Sequence, residues 1–224
     1  MIQCPNFPGP LRKNDAVFMY GAIARQFPYV EVYQQKEIEI VHGPSCKQEN
    51  EIMLERCAAD GVTVEQRRGG GGTVVLSPGV LVTVIVGERE RSQTALDIFK
   101  KIHDAFIGAL NIAGIYGVEH RGISDLAIKE KKILGSSLYM GRKPDRYYYQ
   151  SSLMVCSDLS LLNDYLFHPP TEPQYRAGRS HMDFCTTLHK EGYRISIKDL
   201  QHYISSKLPV LLSEQDFASS VPGK

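Results

Sequence analysis

The feature that most constrains the fold of this chain is a run of four glycines at positions 69–72, between two apolar segments of β-strand character at 62–64 and 73–86. Glycine has no Cβ, so such a loop can adopt positive φ angles and let a ligand touch its backbone. Successive backbone N–H groups can form a concavity for an anion, and Arg67 and Arg68 at its mouth add charge suited to a carboxylate or a phosphate. The same residues are equally typical of a flexible hairpin loop with solvated arginines, so the glycines alone do not decide between these two interpretations.

Composition and charge exclude several broad classes of protein. The chain has 224 residues, 42% hydrophobic and 23% charged, as in ordinary globular proteins, and we expect one domain over residues 1–224. A formal net charge of +1 gives no reason to expect a nucleic acid or a membrane as a partner. The first residues lack the basic and apolar regions of a signal peptide, and the five cysteines are scattered and odd in number. These observations predict reduced thiols in a cytoplasmic protein.

The segment before the glycine run contains both strand and helix signals. Residues 29–33 and 37–41 alternate apolar with polar side chains, the period of strands with one wet face. A turn at 34–35 would join them as an antiparallel hairpin. The other predicted elements are a helix at 14–26 capped by Asn14, and a helix that begins near Ser45 and ends at Gly61.

Two segments after the glycine run have the clearest local signals. Residues 80–86 are nearly all β-branched or apolar, which predicts a central strand buried on both faces. Thr94 and Asp97 have the spacing of a capping box, and His103 in the helix that follows is more typical of a surface or satisfied histidine than of a ligand. The inner face of this helix is predicted to carry Leu96, Phe99, Ile102, Phe106 and Leu110. Weaker patterns predict a strand at 147–155, a helix at 159–166 and a last helix capped by Ser196.

A second informative stretch, at 122–137, is interpreted as two short strands joined by a charged turn at 130–131. Alternation places Asp125 among positions where a carboxylate is costly to bury unless it is paired or faces a ligand. In the second strand Lys132, Leu134 and Ser136 are predicted to share a face, and Gly135 allows a close approach. These side chains can converge on one pocket, but the spacing alone slightly favours a solvated hairpin. The basic segment at 175–181 can face a ligand or only solvent, and solvent is the default interpretation.

The order of these motifs resembles the lipoate–protein ligase A family, which is grouped with biotin–protein ligases and octanoyltransferases. The resemblance covers about residues 14–188 and depends on two stretches. The first is the arginine–glycine loop followed by a strand and a Pro/Gly turn, and the second is the Asp125 strand followed by the strand from Lys132 to Ser136. The resemblance implies an α/β (α+β) catalytic domain with a mixed, largely antiparallel central β-sheet flanked by helices.

The resemblance also implies a reaction. ATP, with Mg²⁺, activates lipoate or a related medium-chain acid to an acyl-adenylate, and a lysine of a lipoyl carrier domain or an H-protein-like acceptor then attacks it. Lys132 is expected to be catalytic, bridging the acyl carbonyl and the α-phosphate, while Asp125 either binds Mg²⁺ or orients the incoming amine. The other expected site residues bind the two anions, line the adenylate or contact the acyl tail, and they are Arg67 or Arg68, Gly70, Gly71, Gly72, Val75, Gly135 and Ser136.

Departures from the family pattern leave alternatives open. No histidine follows the glycines, Tyr149 and Gln150 replace a His-Gly pair, and the first helix lacks its acidic residue. Residues 189–224 are predicted to be a short helical extension, too short for the large accessory domain of longer ligases, so a separate accessory subunit can be required. An octanoyl or lipoyl transferase would need a cysteine nucleophile, for which Cys156 and Cys185 are the candidates. A non-catalytic member that binds an acyl carrier is the third reading, and the ligase is preferred.

Overall fold

The computed structural model describes residues 27–142 and 145–220, so the helix predicted at 14–26 lies outside the described residues. Nine strands are found in these ranges. They are β1 (Tyr29–Gln34), β2 (Glu39–His42), β3 (Thr63–Gln66), β4 (Val74–Leu76), β5 (Val80–Glu88), β6 (Val118–Arg121), β7 (Asp125–Ile128), β8 (Lys131–Met140) and β9 (Arg146–Met154).

The helices within the described ranges are mostly short, with two long exceptions. They are α1 (Gln48–Glu51), α2 (Leu54–Asp60), α3 (Ala95–Ile112), α4 (Ser160–Tyr165), α5 (His181–Phe184) and α6 (Ile197–Ser220), with one 3₁₀ turn at Gln174–Arg176. Among these helices none combines the length and the apolar character that a membrane crossing requires.

The strands form two sheets. A six-stranded sheet has the order β1-β5-β9-β8-β7-β6, and all its neighbouring strands are antiparallel. A three-stranded sheet has the order β3-β2-β4, in which β2 is parallel to β3 and antiparallel to β4. The expected fold class, a mixed and largely antiparallel sheet arrangement flanked by helices, is therefore confirmed.

The large sheet is covered on both faces. The long helices α3 and α6 contact each other and pack on one face, where Ile102, Phe106 and Ile204 meet inward residues such as Leu81 and Tyr149. On the other face Val80, Val82 and Val84 pack against the small sheet through Val41 and Leu76. The prediction that residues 80–86 form a central strand buried on both faces is confirmed.

The predicted hairpin of residues 29–33 and 37–41 is wrong, although both segments are strands. β1 pairs with β5, with Tyr29 opposite Val86, whereas β2 lies in the small sheet between β3 and β4. Alternation of apolar and polar residues identifies a strand but not its partner, and the short connection crosses between the sheets instead of folding back. This crossing brings β2 and β4 over the face of the large sheet.

The helix predictions are confirmed more fully than the hairpin. Thr94 and Asp97 form the capping box of α3, and the inner-face residues are buried except Leu96, which is 59% exposed. The helix predicted from Ser45 is two helices, α1 and α2, because Ile52 leaves the helical path to form a bridge with Leu166. Gly61 ends α2 in the left-handed conformation, as expected.

Candidate active site

A cavity of about 520 Å³ is lined by residues of both sheets and by the segment from α4 to α5. Its apolar wall comes from β2, β4 and β5 and includes Val82 and the expected site residue Val75. Its polar wall comes from β7, β8 and β9. A cavity with one apolar and one polar wall suits an amphiphilic ligand.

The glycine loop borders this cavity and is fixed from inside by Arg67. The Arg67 guanidinium donates to the carbonyl oxygens of Val41 at 3.2 Å, Gly70 at 2.9 Å and Gly72 at 2.7 Å. Arg67 is only 6% exposed, so the cation is buried beneath the loop rather than solvated. The interpretation of this segment as a flexible hairpin with solvated arginines therefore does not describe Arg67.

The expected anion-binding residues of the loop differ in their positions. Arg67, Gly71 and Gly72 line the cavity, whereas Arg68 and Gly70 are not among its lining residues. The Gly70 N–H donates to Leu138 O at 3.4 Å, which ties the loop to β8. Of the two arginines, Arg67 is thus the one that the fold places at the cavity.

A β-bulge sets the position of Lys132. Opposite Leu126 and Ala127 of β7 stand Leu134 and Lys132, so Ile133 is an extra residue in β8. A bulge shifts the faces of the residues that flank it. The prediction that Lys132 and Leu134 share a face is therefore wrong, because Leu134 lies in the core under α3 while Lys132 lines the cavity.

Lys132 and Asp125 form an ion pair in the polar wall. The Lys132 Nζ lies 2.8 Å from Asp125 Oδ1, with the side chains 22% and 7% exposed. Gly135 lines the cavity beside them, and a Cβ at this position would lie 2.7 Å from Lys132 Nζ. A side chain at 135 would displace the end of the lysine from its present position, and three residues expected from the sequence meet here.

Ser136 lines the cavity and connects it to a buried histidine on α3. Its hydroxyl donates to Ser124 O at 2.8 Å, so the His103 Nε2–H must donate to Ser136 Oγ at 3.1 Å. Burial, with a smaller contribution from nearby His120, lowers the pKa of His103 from 6.5 to about 3. His103 is therefore a neutral, buried histidine that is bonded through Nε2 only, because its Nδ1 has no hydrogen-bond partner among the described residues.

Three residues of the segment interpreted as solvent-facing contribute to the site, since Arg176 and His181 line the cavity and Tyr175 contacts Asp125. The Tyr175 hydroxyl donates to Asp125 Oδ2 at 2.9 Å. Arg176 is 5% exposed, lines the cavity and pairs with Glu172 at 3.3 Å. No local pattern links Tyr175 to Asp125, because they are 50 positions apart and meet only in the folded chain.

The floor of the cavity also contains polar groups that the sequence did not indicate. Gln150 and Ser151 on β9 line the cavity and are 8% and 4% exposed. Within the described residues Gln150 Nε2 and Ser151 Oγ have no hydrogen-bond partner. Buried polar atoms without a partner are costly, so a contact with water or a ligand at Gln150 Nε2 would be favourable.

The candidate cysteines occupy different environments. Cys185 lines the cavity, is 8% exposed and forms a backbone bridge with Lys132. Burial is the main cause that raises the pKa of its thiol, outweighing the positive charges nearby. Cys156 is exposed and is not among the cavity-lining residues. Of these two cysteines Cys185 is the one at the cavity, and the raised pKa of its thiol disfavours the thiolate.

The polar wall does not fit a magnesium site held by protein side chains. In the described part of the chain no group of three or more His, Cys, Asp or Glu is arranged to hold a metal ion. Asp125, the expected ligand, already accepts from the Lys132 ammonium and the Tyr175 hydroxyl. These contacts hold the ammonium of Lys132, which is not the incoming amine of an acceptor, so the second expected role of Asp125 stays a prediction.

Similarity to known proteins identifies the family of the chain. The profile of the lipoyl protein ligase A/B catalytic domain matches residues 22–208. The chain belongs to this family. The matched residues include the glycine loop, Asp125 and Lys132. Among curated proteins, none matches this sequence significantly.

Solved structures of lipoate–protein ligases share the fold. A bi-partite ligase from Thermoplasma acidophilum, reported with its E2 lipoyl domain, has a TM-score of 0.75 and 20% identity over 89% of this chain and 76% of its own. A lipoate-protein ligase A bound with ATP has a TM-score of 0.69 and 19% identity over 89% and 85%. A putative lipoate protein ligase from T. acidophilum with bound lipoic acid has a TM-score of 0.67 and 18% identity over 94% and 92%.

Proposed function

We propose that this protein is a lipoate–protein ligase-like enzyme. It activates lipoate, or a related medium-chain acid, with ATP and transfers the acyl group to a lysine of a lipoyl carrier domain or an H-protein-like acceptor. The observation that carries the proposal is the Lys132 ammonium in the polar wall of a cavity whose other wall is apolar. The family membership and the solved ligases, one with ATP and one with lipoic acid, support it.

The first step brings two anions together, so it requires positive charge and hydrogen-bond donors. The acid carboxylate attacks the α-phosphorus of ATP, the bond to the β-phosphate oxygen breaks, and pyrophosphate leaves with an acyl-adenylate formed. Lys132 and the exposed backbone of Gly71 and Gly72 are the groups that line the cavity and can offset this charge. The aliphatic tail lies against Val75 and Val82 in this arrangement.

The second step transfers the acyl group to the acceptor. The acceptor lysine amine attacks the acyl carbonyl, the bond to the phosphate oxygen breaks, and AMP leaves. Lys132 stabilises the negative charge that develops on the carbonyl oxygen. Asp125 accepts from Lys132 and Tyr175 at the start of this scheme.

A cysteine-dependent transferase is the second candidate, since Cys185 lines the same cavity beside Lys132. In that mechanism the Cys185 thiolate takes the acyl group from a carrier and passes it to a second carrier. The raised pKa of this thiol counts against it, because the thiolate is the nucleophile. The non-catalytic alternative is disfavoured by a cavity that retains Lys132 and Asp125.

The deciding experiment incubates the protein with ATP and, separately, lipoate, octanoate or biotin, and measures AMP, pyrophosphate and acylation of a lipoyl carrier domain by mass spectrometry. We expect ATP-dependent product with lipoate or octanoate and at least a 100-fold loss in Lys132→Met. Lys131→Met is the matched control, because Lys131 is exposed and does not line the cavity. Transfer between carriers that needs no ATP and disappears in Cys185→Ser would favour the transferase instead.

Three expectations remain predictions beside this proposal. They are the cytoplasmic location, the organisation as one domain without a large accessory domain, and the accessory subunit. The subunit is tested in the same assay, because a chain that transfers from supplied lipoyl-adenylate but forms none from ATP would need a partner for activation.

A further inference from the structure

Tyr175, Asp125 and Lys132 form a chain of contacts at the polar wall, in which Asp125 and Lys132 line the cavity and Tyr175 lies behind them. The Tyr175 hydroxyl donates to Asp125 Oδ2 at 2.9 Å, and the Lys132 ammonium lies 2.8 Å from Asp125 Oδ1. Each carboxylate oxygen therefore has one donor, from opposite ends of the group. The two contacts together fix the rotation of the Asp125 carboxylate. They thereby also fix the position of the Lys132 nitrogen.

Tyr175 acts in this chain only as a hydrogen-bond donor. Its pKa is raised far above the ordinary value of a phenol, chiefly by burial and then by the negative charge of Asp125. The hydroxyl thus remains protonated at any pH at which the protein works and does not exchange its proton as an acid or a base. Because Tyr175 is neutral, the positive charge that pairs with the Asp125 carboxylate is that of Lys132.

The backbone around Tyr175 is fixed independently of Asp125. The Arg179 guanidinium donates to Tyr175 O at 2.6 Å and to Glu130 O at 3.0 Å, which ties this segment to the turn between β7 and β8. The Tyr175 ring lies 5.0 Å from the Phe184 ring. The Tyr175 segment is therefore anchored to the two strands that carry Asp125 and Lys132, and this anchoring does not depend on the phenol hydroxyl.

We propose that Tyr175 is a positioning residue for Lys132 and acts through Asp125. It keeps the Asp125 carboxylate in the orientation that presents the lysine ammonium to the acyl-phosphate group. This inference deepens the proposed function and, for its kinetic consequences, depends on it. Removal of the hydroxyl leaves Asp125 Oδ2 without its donor, the carboxylate turns or takes up water, and the ammonium loses its fixed place.

The test uses the full chain with Tyr175→Phe, Asp125→Asn and the double variant, with Tyr193→Phe as the matched control. Tyr193 donates its hydroxyl to Tyr116 O at 2.6 Å, away from the cavity. We expect kcat for adenylate formation to fall about 10- to 100-fold in Tyr175→Phe, as for loss of a hydrogen bond to a charged group. The KM values for ATP and the acid should stay within about threefold, because the hydroxyl does not contact them.

A second readout does not need the activity. The rate at which Lys132 is acetylated by a small amine-reactive reagent, measured by peptide mass spectrometry, should rise at least twofold in Tyr175→Phe and in Asp125→Asn. In the double variant it should be no higher than in Asp125→Asn alone, because the hydroxyl acts through that carboxylate. If the wild-type protein forms no adenylate, the proposed function fails and the labelling series still decides the positioning role. An unchanged kcat, or labelling that is unchanged in Tyr175→Phe or additive in the double variant, would overturn it.

Discussion

Replacing Arg67 with lysine should loosen the glycine loop although the positive charge is kept. The guanidinium reaches three carbonyl oxygens, those of Val41, Gly70 and Gly72, whereas a lysine has one nitrogen and cannot span them. A net hydrogen bond to a charged group contributes about 1.5–3 kcal/mol, and water can replace part of it at the exposed Gly70 and Gly72. For the loss of two such bonds we expect opening of the loop to become easier by about 2–4 kcal/mol, or about 30- to 900-fold more frequent.

Hydrogen exchange of the backbone amides at 69–73 measures this opening directly, since local opening governs exchange in such segments. The matched control is Arg56→Lys on α2, where the arginine is 60% exposed and pairs with Asp60. Exchange at 69–73 should accelerate only in Arg67→Lys, and lipoate should bind more weakly because the loop borders the cavity. Unchanged exchange would show that the guanidinium does not hold the loop, and faster exchange with unchanged binding would remove the loop from the site.

Three further predictions concern the same structure. Lys132→Met should lower the free energy of unfolding by about 1–3 kcal/mol in urea titrations, because the buried Asp125 carboxylate loses its cation, and adding Asp125→Asn should restore most of the stability but not the activity. Gly43→Ala should lower Tm at a cost of about 1–3 kcal/mol, since its Cβ would lie 2.0 Å from Gly71 O, whereas Gly70→Ala adds a Cβ in open space and should be neutral. The pKa of His103 is about 3 in the folded chain and 6.5 in the unfolded chain. Its contribution to the free energy of unfolding is therefore fully present above pH 6.5, and it is lost as the pH falls toward 3, by up to about 1.4 kcal/mol per pH unit. A His103→Asn variant should flatten this part of the pH–stability curve, and an equally steep curve would contradict the assignment.

Much of the fold could be predicted because its signals are local. The capping box of Thr94 and Asp97, the glycine that ends α2 and the apolar run of β5 each depend on neighbours within a few residues. Strand pairing is not local in this sense. The alternation in β1 and β2 is equally compatible with a hairpin and with two different sheets, and only burial against the rest of the chain separates these outcomes.

The site could be predicted in part for the same reason. Asp125 and Lys132 lie on consecutive strands, so a hairpin brings them close from sequence alone, although the extra residue Ile133 changes which face the lysine takes. Tyr175 and Arg176 come from a distant loop whose composition is typical of a solvated segment. Their side chains acquire a role only when the fold places that loop over the polar wall.

The cations of the cavity are held by the protein before any ligand arrives. Arg67 donates to loop carbonyls, Lys132 pairs with Asp125, and Arg176 pairs with Glu172. A buried cation without a partner is costly, so these contacts keep the cavity stable in the absence of substrate. In the proposed reaction, ATP and a carboxylic acid would bring several negative charges into the same space, and Lys132 would reach the acyl-phosphate by exchanging part of its contact with Asp125. Lys132 is already oriented by Asp125, and Asp125 also accepts a hydrogen bond from Tyr175. The lysine nitrogen would therefore move only a short distance to leave Asp125, and the polar wall of the cavity would not rearrange.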